Sequence, residues 1–345
     1  MYSHFSNIVS LGYFTCLFTG LIIFTGCTKN YDDYGPQGEL GNVEIPRSSS
    51  VIVLNEGNFM FGNGSVSWVD LENQNTSQEV FKTVNGFPLG DVPQSMIVSD
   101  SLGYVVVNNS SKIEVVTMPE FSSVSTITGF NSPRQMAIIS EQPKIAWVTD
   151  LYANKIWEVN LDTRQIIGSI SNAGWNENIM KWKSLALVLN KTDSVINVFD
   201  IATKSLIKTY QVSTGIVDFQ FSSFSELKVL AKGGIYRINL LLDGVYEEYA
   251  FSVTRTPLKM AYDSINQTTY FLDGDLYRYS NNGLTMLKSV APGSNFYGLA
   301  VNNEKVYLTD TKDYVQPGEL NVYSYDFQTE TVFPMGVNPQ FIFFP

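Results

Sequence analysis

Glu56 and Asp91 are the two carboxylates best placed to do chemistry in this chain, and both sit in loop text, Leu54-Asn55-Glu56-Gly57-Asn58-Phe59 and Gly86-Phe87-Pro88-Leu89-Gly90-Asp91. Two carboxyl groups facing one another can act as acid and base, or as acid and nucleophile, the arrangement that glycoside cleavage needs. A second constellation is larger and has a different use. Asn58, Phe59, Phe61, Tyr152, Trp175, Arg255, Tyr297 and Tyr314 lie in loops as well, with Arg134 just past Pro133, and Asp91 joins them as a binding candidate. Aromatic faces beside amides stack on a flat ring and hydrogen-bond its polar substituents, which is binding without turnover. An acidic chain supplies many loop carboxylates, and nothing else accompanies the Glu56 and Asp91 pair. The residues therefore favour a noncatalytic binding surface over an enzyme.

The inventory removes most other chemistry. The chain has one histidine, His4, and two cysteines, Cys16 and Cys27, all within the first 27 residues. If that segment is processed as described below, the mature protein has no histidine and no free thiol. Ser-His-Asp and Cys-His catalysis and histidine- or thiolate-held metals then lack their side chains. The Asp310, Lys312 and Asp313 cluster and the Asp273-Gly274-Asp275 turn lack the ligand spacing of a calcium loop and read as solvated turns. A quinone-dependent dehydrogenase would call for thiols and a repeated tryptophan docking pattern, and neither is present. The net charge of −11 without clustered Lys and Arg excludes nucleic acid as a partner. Charged residues make up 16% and aromatics 13%, a balance suited to uncharged, partly apolar ligands.

These residues must be positioned by a repeat. A short apolar strand closing on a polar residue recurs as VIVLN, YVVVN, AWVTD, ALVLN, KVLAK, TYFLD and VYLTD, and its closing residues are 53, 42, 40, 42, 41 and 37 positions apart. A period near forty made of short strands predicts a radial array of four-stranded sheets, since one such sheet cannot bury both its faces alone. The fold class is all-β, a seven-bladed β-propeller with four antiparallel strands per blade. The inner strands begin at Pro93, Pro133, Asn178, Val217, Pro257, Phe296 and Pro339. The count closes only if the C-terminal strand ending in FIFFP returns as the inner strand of the blade that VIVLN begins, which removes the free sheet edges. The loops leading into the inner strands and those between second and third strands then share one face. That face carries the binding candidates, along with Leu89, Asn109 and Asn178. Arg134 should point into the central channel and pair with a carboxylate such as Asp91, whereas Trp68, Trp147, Trp157 and Trp182 fall within strands and read as packing between blades.

Residues 1–27 hold no Asp, Glu, Lys or Arg and end in an apolar run closed by Phe-Thr-Gly-Cys. This reads as an export signal with a lipobox, Cys27 being the acylated residue; the apolar core is shorter than the roughly 20 residues of a membrane span. Residues 28–50, rich in Gly, Pro and Asp, read as a flexible tether, and 51–345 as the propeller.

The segment Leu54 to Phe59, the following Gly-Asn-Gly with SVSWVDL, and GFPLGDVPQSMIV at 86–98 resemble the YncE-like seven-bladed propeller lipoproteins of Gram-negative bacteria, above all those that capture cobalamin. The resemblance implies an outer-membrane lipoprotein, exposed at the cell surface, that hands cobalamin to a TonB-dependent transporter, with the corrinoid as a bound ligand and no catalytic cofactor. Without histidine the protein could not replace the lower axial base, so such a ligand would be held intact by shape, amide hydrogen bonds and apolar contact. The alternative reading is an adhesion or scaffold propeller whose partner is a protein or glycan.

Overall fold

The computed structural model describes residues 49–252 and 255–345. The expected export signal, the expected lipidation site Cys27 and nearly all of the expected tether lie outside the described residues.

The described strands assemble into seven sheets of four. Blade 1 is ordered Pro339–Phe343, Ser50–Asn55, Ser65–Asp70, Asn75–Ser77, so its inner strand comes from the C-terminus and its other three from the start of the propeller. Blades 2 to 7 run in chain order from the inner strands Pro93–Ser99, Pro133–Glu141, Asn176–Trp182, Ile216–Ser223, Lys259–Asp263 and Phe296–Asn302. The expected closure is present: Ile52 pairs with Phe343, Val53 with Ile342 and Leu54 with Phe341, antiparallel.

The second strand of each blade is an unbroken apolar run because both its faces are covered. In Ser50–Asn55 every residue is buried, with Ile52 and Leu54 packing toward blade 2 and Val51 and Val53 toward blade 7. Successive side chains of a strand point to opposite faces, so an alternating polar pattern would be wrong here and the run VIVL is required. Outer strands meet water on one side and alternate instead, as in Ser123–Thr128. Each of the seven blade interfaces holds its own apolar cluster. The seam between blades 7 and 1 is one of them, with Val51, Val53 and Val69 against Tyr307, Leu320 and Phe333.

One element departs from the repeat. A helix, Val80–Asn85, crosses from blade 1 to blade 2 and buries Val80 and Phe81 in the cluster that joins those blades. Asn85 fastens it from the far side, donating to the Phe81 and Phe121 carbonyls and accepting from the Ser123 amide. The longer first interval, 53 residues against about forty, is the sequence trace of this insertion.

Trp68, Trp147 and Trp182 are buried between blades as expected. Trp157 is only half-buried; it packs edge-on to Phe130 and donates its indole N–H to Asp150 at 3.0 Å.

Candidate functional site

Six of the seven inner strands carry a register shift within their first residues, as at Pro93/Ser95, Pro133/Met136, Asn176/Ile179, Ile216/Asp218 and Phe296/Leu299, and at the Asn55/Leu54 step opposite Pro339. A bulge spends an extra residue, bends the strand and re-aims side chains. Consecutive residues at the mouth of the channel can thus both face its axis, and Gln94, Arg134, Gln135, Glu177, Asn178, Asp218, Lys259, Tyr297 and Gln340 converge there.

Arg134 is the hub. Its Nε and Nη2 donate to the two carboxylate oxygens of Glu177, both at 2.9 Å, and Nη1 donates to Gln94 Oε1. This fork-on-fork pair links blades 3 and 4, and Gln94 brings in blade 2. The expectation that Arg134 reaches into the channel holds, but its partner is Glu177 and not Asp91. Asp91 is occupied outside the channel: its Oδ2 accepts from the Met60 amide at 2.7 Å and from Asn109 Nδ2 at 2.5 Å. It is a brace between the loop of blade 1 and the crossing loop to blade 2.

The charges set one another. Burial penalises the ionised form of Glu177, yet the Arg134 guanidinium, Lys191 Nζ at 3.7 Å and the direct Arg134 hydrogen bonds outweigh it and hold the carboxyl below its ordinary range. For Glu56 burial wins over the Tyr297 hydroxyl, which donates to Oε2 at 3.0 Å, and over the charges of Arg134 and Lys259, so its carboxyl is pushed up. Burial likewise raises Asp218, offset in part by Lys259 and by Asn178, whose Nδ2 donates to it at 2.8 Å. Burial first and the Glu56 carboxylate second raise the Tyr297 hydroxyl. A cavity of about 120 Å³ at this level and one of about 260 Å³ further along the channel share Gln135, Asn178, Asp218, Lys259 and Gln340 in their walls.

The loop face above the channel is apolar and ringed with amides. Phe59, Met60 and Phe61 are exposed at the tip of the loop between Asn55 and Ser65, with Tyr314 and Val315 of blade 7 also exposed. Asn58 ties the two loops together, its Nδ2 donating to the Tyr314 carbonyl at 3.1 Å while Asn338 Nδ2 donates to Gly57 O at 2.8 Å. Tyr314 meets Tyr297 edge-on at 6.0 Å. Gly57 has φ +76° and a Cβ there would lie 2.5 Å from Asn63 Oδ1, so this tight loop admits only glycine. Farther round the ring Tyr152 of blade 3 and Trp175 of blade 4 form a second exposed pair, edge-on at 6.2 Å.

The fold therefore brings the sequence candidates together in three groups. Asn58, Phe59, Phe61, Tyr297 and Tyr314, braced by Asp91, form one side of the face; Tyr152 and Trp175 form another; Arg134 lies below in the channel. Arg255 belongs to none of these. It pairs with Asp273 at 2.9 Å and lies over the rings of Tyr277 and Phe251, stapling blades 5 and 6. Leu89 is fully buried under the crossing helix and presents nothing to the face. Asp273 and Asp310 spend their carboxylates on loop amides and on Arg255 and Lys312, and among the described residues no cluster of three or more acidic, His or Cys side chains could hold a metal. Sequence reasoning missed Glu177, Gln94 and Lys259. A polar residue at the same early position of each inner strand was the available signal.

These features define a closed seven-bladed β-propeller whose channel mouth is plugged by an ionic network and whose loop face is aromatic. No family model matches the chain, and no curated protein matches it. Among solved structures it is similar to the quinoprotein alcohol dehydrogenase-like protein of Bacteroides thetaiotaomicron, at 16% identity and a TM-score of 0.66 over 84% of this chain and 78% of that one. It is also similar to dihydro-heme d1 dehydrogenase NirN in complex with DHE, at 11% identity and 0.58 over 88% and 76% of the two chains. The computationally designed Ika8 protein gives 11% and 0.56 over 86% and 90%. All three stand at 16% identity or below, so the likeness is one of fold.

Proposed function

We propose that this protein is a noncatalytic, lipid-anchored capture propeller that holds a corrinoid of the cobalamin class across its loop face and passes it to a TonB-dependent outer-membrane transporter. The observation that carries the reading is the exposure of aromatic groups on the loop face, Phe59, Phe61 and Tyr314 on one side and the edge-on pair Tyr152 and Trp175 on another, over a channel mouth where Arg134 and Glu177 are committed to each other. Carboxylates available for acid and base work are what an enzyme reading requires; Glu56 is held by Tyr297 and Asp91 by Met60 and Asn109. Size supports the same conclusion. The channel cavities, about 260 and 120 Å³, fall below the roughly 300–1,000 Å³ that encloses a drug-sized ligand, so a large flat molecule would lie over the face. A ligand held this way stays accessible to a receiving protein.

The test is direct. Protein at micromolar concentration mixed with cyanocobalamin and desalted should retain the corrinoid absorbance, and Trp175→Ala should weaken binding about tenfold or more, as loss of an aromatic anchor does. A colourless protein fraction would overturn the corrinoid assignment. Retention of a glycan in place of the corrinoid would move the protein to the adhesion class.

A further inference from the structure

Two side chains of opposite charge line the channel without pairing. Asp218 of blade 5 and Lys259 of blade 6 stand in the walls of both cavities, with Gln135 of blade 3 and Gln340 of blade 1. The Lys259 ammonium acts through its charge on Asp218, Glu177 and Glu56, yet among the described residues it forms no ion pair and no side-chain hydrogen bond. Asp218 uses one oxygen: Oδ1 accepts from Asn178 Nδ2 at 2.8 Å and from the Phe219 amide at 2.9 Å, and Oδ2 takes no hydrogen bond from a described residue. Gln340 is only 8% exposed, and neither end of its side-chain amide is partnered among the described residues. The side-chain amide of Gln135 is equally uncommitted. Shielded polar groups of folded proteins are nearly always partnered, and here four uncommitted ones border one space.

The sequence sets these charges apart from the Arg134 network. Gln94, Arg134, Glu177, Tyr297 and Gln340 each follow the first residue of an inner strand; the matching residues of blades 5 and 6 are Val217 and Leu258, and charge comes one position later, at Asp218 and Lys259. The channel runs from the loop face to the opposite, turn face, where first strands turn into second strands. On the way the larger cavity, about 260 Å³, adds Met180, Ala261, Leu299, Val301 and Phe341 to its walls. That volume exceeds the roughly 150 Å³ that admits benzene. A small ligand can thus set a polar head between Asp218 and Lys259 and an apolar tail beside Met180 and Leu299.

We infer that the channel holds a second binding site, for a free α-amino acid with an apolar side chain, whose carboxylate meets Lys259, whose ammonium meets Asp218 Oδ2, and whose remaining hydrogen bonds go to the Gln340 and Gln135 amides. A zwitterion answers both charges at once. A neutral sugar would leave Lys259 and Asp218 without counter-charges, a dicarboxylate would set like charge against Asp218, and a diamine would do so against Lys259. Burial pushes the Asp218 carboxyl up and Lys259 offsets this only in part, so an ammonium at Oδ2 supplies the counter-charge that the protein leaves short. The site is separate from the aromatic loop face. It holds or fails whether or not cyanocobalamin is retained.

Isothermal titration of the purified protein with L-valine, L-leucine and L-methionine tests this. At least one should bind with one molecule per chain, and its N-acetyl derivative, which lacks the ammonium, and its carboxamide, which lacks the carboxylate, should each bind about tenfold or more weakly. Lys259→Met should weaken the free amino acid by a similar factor and abolish its advantage over the carboxamide, because the group that reads the carboxylate is gone. If that variant does not fold, the comparison of derivatives on the unchanged protein decides alone. No heat from any of the three at millimolar concentration, equal affinity for the amino acid and its carboxamide, or binding of glucose or succinate in their place overturns the inference. A folded Lys259→Met protein that still prefers the free amino acid over its carboxamide overturns it as well.

Discussion

Arg134 and Glu177 show how burial turns a side chain into a structural commitment. The pair is mostly shielded from water, and removing one member leaves the other charged with no partner, which costs about 3–5 kcal/mol for a buried pair. Glu177→Gln should lower unfolding free energy by an amount near that range at pH 7, measured by urea denaturation. The carboxyl of Glu177 is held below its ordinary value, so its contribution is complete above the unfolded-state range and lost as pH falls through the lower folded value; the cost of the variant should shrink on acidification. Glu56 runs the other way. Its folded value is raised, so the wild-type penalty is absent at low pH and grows as pH rises from the unfolded value to the folded one. Glu56→Gln, which can still accept from Tyr297, should raise the Tm at pH 8 and leave it nearly unchanged at pH 4. The channel placement of Arg134 was legible from its position after Pro133. Its partner was not, because the recurring polar residue early in each inner strand does not say which of them meets Arg134, whereas Asp91 looked free only while Met60 and Asn109 were out of view.

At the scale of elements, the strand text was legible because burial on both faces writes a continuous apolar run. VIVLN and ALVLN could be placed without knowing the neighbours. The helix Val80–Asn85 was not, since six residues in one turn and a half carry too little periodicity; only the long first interval pointed to an insertion. Its role is nonetheless specific. Phe81 is fully buried between blades 1 and 2 and edge-on to Phe87 at 5.4 Å. Phe81→Ala should cost about 3–5 kcal/mol, as large core truncations do, and should loosen the crossing loop that sets Asp91 under the Phe59 to Phe61 tip. Thermal denaturation gives the first effect, and amide exchange at Met60 and Asn109 the second. Aromatics such as Tyr152 and Trp175 were readable as loop residues, but Arg255 was misplaced because Asp273, Tyr277 and Phe251 become its neighbours only when blades 5 and 6 meet.

The whole molecule depends on its closure. Blade 1 takes its inner strand from the last residues of the chain, and the seam to blade 7 is an apolar cluster like the other six. Deleting 337–345 would remove that strand, expose Leu54 and Val53 to solvent, and leave an unpaired edge on Ser50–Asn55. The truncated protein should be insoluble; a soluble product with an unchanged melting curve would contradict the closure. Blade number was readable because a ring of stacked sheets imposes one period on the entire chain. Use of the two faces was only half readable: topology says which loops share a face, while the commitment of Arg134 and Glu177 to one another emerges from packing.

The most direct test of ligand capture on the loop face is amide hydrogen exchange with and without cyanocobalamin. Slower exchange confined to residues 57–62, 152–154, 174–176 and 313–316, with the turn face unchanged, is the predicted result. Protection centred on the turns of blades 5 and 6, or no change anywhere at saturating corrinoid, would contradict it.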